Sequence, residues 1–79
     1  MMKGEIMEKI KFFEGDTINI LAGYLKVGHI SNDSAEVEEF VIDESGIEKS
    51  NGMRVLTSHD IAHELKDYDG HNHDVVLEK

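Results

Sequence analysis

The chain has 79 residues, 39% of them hydrophobic and 32% charged, with eight Lys and Arg against seventeen Asp and Glu for a net charge of −9. A chain this short builds at most one domain and buries a modest share of its surface, so a bound partner or a homo-oligomer would add stability that it needs. It has no cysteine, which removes disulfides and thiolate metal ligands, and no apolar run approaches the roughly 18 residues of a membrane span.

The opening "MMKGEIMEKIKFF" lacks a signal-peptide core with a small-residue cleavage site, so a cytoplasmic protein with no membrane partner is expected. "EKIKFFEG" reads as an edge strand, although Ile6, Ile10 and Phe13 also fall at helical spacing. From Asp16 a helix is expected: Asp16 can cap, Ile20, Leu21, Tyr24 and Leu25 recur at helical intervals, and Gly28 stands where a glycine would end it. Asp33 three residues before Glu36 has the capping-box pattern, with Val37, Phe40 and Val41 on one stripe, which predicts a second helix ending near Gly46. Phe40 to Ile42 are also strand formers, and a strand turning at "DESG" is the competing reading.

Asn51-Gly52 is the dipeptide favoured by a type I′ turn, so Ile47–Ser50 and Met53–Leu56 are expected to pair as a β-hairpin over about 47–56. Thr57 or Ser58 then caps a short amphipathic helix, "HDIAHELK", with Ile61, Ala62 and Leu65 along its buried side. "DYDGHNHD" reads as a polar loop centred on Gly70, and "DVVLEK" as the opening of a further helix. The sum is a small single α+β domain over 1–79, with one hairpin and two to three short helices.

Four of the five histidines fall between Leu56 and Asp74. His59 and His63, four apart on a helix, can face one ion, and His71 and His73 could complete a four-ligand site. "HDIAH" is spaced like the zinc-protease helix H-E-x-x-H, with Asp60 in place of the general base. The aspartate is one methylene short and a chain this small has little room for a substrate cleft. No enzyme activity, metal or other cofactor is therefore expected, and the histidines read as solvated polar positions. A histidine-based metal-binding protein using His59, His63, His71 and His73 stays open as an alternative. Asp67-Tyr68-Asp69-Gly70 lacks the register of a calcium loop and reads as a turn.

"LTSHDIAHEL" followed by "HDVVLEK" resembles the start of the phage regulatory protein Rha family and related antirepressor modules, over about residues 53–79. The resemblance rests on Ser58, Asp60, Ile61, Ala62 and Leu65, then on His73, Asp74, Val76 and Leu77, where a Val-Leu pair opens the family's next helix. It implies a mobile-element origin and leaves a compact transcriptional regulator as one alternative function. Basic residues that follow in the family are replaced here by Glu78-Lys79, so DNA reading is not carried over.

Phosphate contacts need a basic face. Arg54 to Lys79 offers only Arg54, Lys66 and Lys79 against six carboxylates, and direct nucleic-acid binding is not expected. The reading that remains is a small acidic phage or mobile-element protein, a regulator or inhibitor that binds a host or phage protein with a basic surface. The residues expected to carry that contact are Glu38 and Glu39, flanking the Val37, Phe40 and Val41 stripe, then Glu64, Asp67 and Asp69 near the end of the helix.

Overall fold

The computed structural model describes residues 8–79. The reading of the first residues as free of a signal peptide, and the helical spacing that begins at Ile6, lie in part outside them. In chain order come β1 (Glu8–Phe13), β2 (Thr17–Ile20), β3 (Gly23–Ser31), β4 (Ser34–Ile42), β5 (Glu48–Thr57), α1 (Ser58–Asp69) and β6 (His73–Glu78). The domain is therefore mostly strand with one helix among the described residues, not the two to three helices expected.

β2 to β5 form an antiparallel meander in the order β2-β3-β4-β5, while β1 pairs in parallel with β6. The expected helix from Asp16 to Gly28 is instead β2, a tight connection at Leu21-Ala22, and most of β3. Ile18, Ile20, Leu25 and Val27 are buried while Thr17, Asn19 and Lys26 are exposed, a period of two that satisfies a sheet face. Leu21, part of the supposed helical stripe, is 74% exposed. Asp16 does cap, but caps a turn: its carboxylate accepts from the Phe13 N–H at 2.8 Å.

The helix expected from Asp33 to Gly46 is β4, in which Ala35 and Val37 are buried and Glu36 is exposed. Asn32 and Asp33 form the bend between β3 and β4, with Asn32 in the left-handed region at φ 56°. Asp33 acts on a different helix, its carbonyl accepting from the Ser58 N–H at 3.2 Å and its carboxylate from the Ser58 hydroxyl at 2.8 Å. At "DESG" the chain turns as the competing strand reading has it. The Asp43 carboxylate accepts from the Ser45 and Ile47 N–H groups, and Gly46 has φ 84°.

The Asn51-Gly52 hairpin is also corrected. Both of its supposed arms lie in one strand, β5, and the real partner is β4. Glu38 stands opposite Met53 and Phe40 opposite Ser50, so Asn51 and Gly52 together face Glu39 as a bulge, with Gly52 at φ 96°. A bulge and a primed turn both want a glycine with positive φ, and long-range pairing chose the bulge.

α1 forms where the sequence puts it. The Thr57 hydroxyl accepts from the Asp60 N–H at 3.1 Å while the Asp60 carboxylate accepts from the Thr57 N–H at 3.1 Å, a reciprocal capping box, and Gly70 closes the helix in the left-handed conformation. Ile61 and Leu65 are its buried face, packed with Ile18, Leu25, Val37 and Leu56 of the meander and Val75 and Leu77 of β6. The loop expected over "DYDGHNHD" shrinks to Gly70–Asn72, since α1 runs to Asp69. "DVVLEK" is not a helix opening: Val75 and Leu77 alternate with exposed Asp74 and half-buried Val76 in β6, and β1 is its parallel neighbour.

Candidate functional site

Burial separates the two faces of the meander. Ala35 and Val37 of β4 and Leu56 of β5 point into the core. Their neighbours Glu36 and Glu38, with Val55 and Met53 directly opposite them, therefore point outward. Met53 and Val55 are 61% and 67% exposed, side by side on a strand that pairs only with β4 among the described residues. An open edge beside exposed apolar side chains is what sheet proteins usually cover or blunt.

The outward face is shaped by the irregular pairing of β3. Register shifts between Val27 and Ile30, and the Glu14 carboxylate holds that bend, accepting from the Ile30 N–H at 2.9 Å with the His29 ring 3.4 Å away. A groove of about 340 Å³ runs past Glu36, Met53, Arg54 and Val55. A smaller hollow of about 100 Å³ continues from Glu36 and Val55 towards His29, Ser31 and Ser34. Farther out, Tyr24 stacks on Phe40 with ring centroids 4.9 Å apart, and its hydroxyl donates to Glu48. That hydrogen bond, with some desolvation and the charge of Glu48 and Glu38, holds the phenol above its usual range.

The five carboxylates named from the sequence do not share a surface. Glu38 is half-buried on the outward face and accepts from the Ser50 hydroxyl at 2.7 Å. Glu39 points to the opposite face, opposite buried Leu25; its side chain is 16% exposed, with Arg54 Nε at 3.6 Å and the Asn51 amide at 3.3 Å. Glu64 is half-buried and Asp67 exposed on α1. Asp69 is engaged at the helix end, accepting from the His71 N–H at 2.9 Å and from His73 Nε2 at 2.9 Å. The His73 contact, then the His71 N–H, keep the Asp69 carboxyl below the ordinary carboxylate range.

The histidines separate as well. His59 and His63 are exposed on α1 with ring centroids 5.7 Å apart, His71 is exposed in the loop, and His73 is buried. Among the described residues, no three His, Asp or Glu side chains are placed to hold a metal ion. No described helix is long and apolar enough to cross a membrane.

Glu36, Met53 and Val55 were missed in the sequence because Met53 and Val55 were placed in a local hairpin. Alternation about Leu56, the one fully buried position of β5, is the signal that would have shown them. Comparisons with protein-family models, with curated proteins and with solved structures find no match.

Proposed function

We propose that the protein works by binding a protein partner on the outward face of β4 and β5, with the partner laid as an extended segment along the open edge of β5. The observation that carries this is the pairing of exposed Met53 and Val55 with Glu38 and Glu36 across the two strands. Apolar side chains supply area that gains from leaving water, and the carboxylates beside them select a flanking cation. The matching segment therefore alternates an aliphatic or aromatic residue with Lys or Arg, its backbone adding to the free edge. Glu38 keeps the role given to it from the sequence, and Glu36 joins it. Glu39 and Asp69 serve internal contacts, while Glu64 and Asp67 form a separate acidic patch on α1.

This narrows the regulator or inhibitor reading to one surface, and it needs neither catalysis nor a cofactor. The Rha-like resemblance supports it less, because Val76 and Leu77, which that resemblance put at the start of a helix, lie in β6. Selection of a random peptide library on the immobilised protein tests the chemistry. Enrichment of alternating apolar and basic residues supports the proposal, and enrichment of acidic or uncharged sequences refutes it.

A further inference from the structure

One stripe of α1 carries His59, Ala62, His63 and Lys66, at the spacing that brings side chains together on a helix. With Asn72 and His73 it lines a cleft of about 170 Å³ between α1 and the start of β6. In a chain with seventeen Asp and Glu, none of the described residues lining this cleft is a carboxylate, whereas Glu36 lines both hollows on the sheet face. Lys66 forms no salt bridge within the described residues. The nearest carboxylates are already committed, Asp60 to the Thr57 N–H and Asp69 to His73.

His73 supplies the second, independent observation. Its side chain is 3% exposed, its Nε2 lies 2.9 Å from both Asp69 oxygens, and its Nδ1 is buried with no partner. An ionised Asp69 favours the protonated ring. Protonation turns Nδ1 into a buried donor, which is costly to leave without an acceptor. The group that would satisfy it brings acceptor oxygens and negative charge.

We propose that this cleft binds a small oxyanion of the phosphate or carboxylate type, held by His73, Lys66 and the two helix histidines. The proposal is independent of the β5 surface, which lies on other residues.

Inorganic phosphate is the probe, titrated into the whole protein at constant ionic strength while the histidine ring resonances are followed by NMR. The expected result is a saturable shift of the His59, His63 and His73 rings that chloride does not reproduce. Lys66→Gln and His63→Gln, both at exposed positions, should each weaken the apparent affinity by about tenfold, the loss of a charge-assisted contact. Shifts that never saturate, that chloride matches, or that both variants leave unchanged would overturn it. So would saturation by Zn²⁺ with none by phosphate, since that would make Nδ1 a lone-pair donor to a cation.

Discussion

Gly23 passes so close to Phe40 that a Cβ built on it would overlap the Phe40 carbonyl oxygen. This contact lets β3 and β4 pair tightly beside the Tyr24–Phe40 stack, and the obstacle is backbone, which cannot rotate aside. Gly23→Ala is expected to destabilise by about 1–3 kcal/mol through overpacking. Gly46→Ala, where a Cβ meets open space but φ is 84°, should cost about 1 kcal/mol from backbone conformation alone. Urea unfolding of both variants measures the difference, and the Gly23 variant should be the less stable.

The elements legible in the sequence are those with a local cause. α1 is announced by Thr57 and Asp60 as a cap and by Ile61 and Leu65 as a face, all within one segment. β1 was readable as an edge strand for a similar reason. β2, β3 and β4 were not, because Ile20, Leu21, Tyr24 and Leu25 satisfy helical spacing by coincidence and only pairing between distant residues shows the period of two. The same limit applied to the site: Glu38 was legible as an acidic surface residue, but Met53 and Val55 take on meaning only once β5 is known to face β4.

Three carboxyl groups tie stability to pH. The Thr57 backbone N–H and then its hydroxyl lower Asp60; the Ser45 side chain and then the Ile47 N–H lower Asp43; His73 and then the His71 N–H lower Asp69. A carboxyl depressed in the folded state contributes stability above its unfolded value and loses it as pH falls through the folded one. The urea midpoint should therefore hold steady between about pH 5 and pH 7 and decline below about pH 4, near the ordinary aspartate value. Asp43→Asn and Asp60→Asn should each flatten that decline. Thr57→Ala, which removes the hydroxyl of the cap, should cost about 1 kcal/mol at neutral pH.

Duplex DNA should not bind with sub-micromolar affinity at about 150 mM salt, because a protein needs several phosphate contacts from a basic face. Arg54 is turned towards Glu39, 3.6 Å away, which leaves fewer free cations in Arg54 to Lys79 than the sequence count suggests. Fluorescence anisotropy with a random duplex checks this, and tight binding would reopen the regulator reading.

The role of the β4–β5 face is tested most directly by the affinity of a library-selected basic-apolar peptide for two sets of variants. Met53→Ser with Val55→Ser changes exposed side chains and should weaken binding by at least about tenfold, since two apolar contacts of this size are worth more than about 1.4 kcal/mol. Glu36→Lys with Glu38→Lys should slow association and remove its salt dependence. Glu64→Lys with Asp67→Lys, on α1, should leave the affinity unchanged. Unchanged binding in the β5 pair together with a loss in the α1 pair would contradict the assignment and move the interface to the helix.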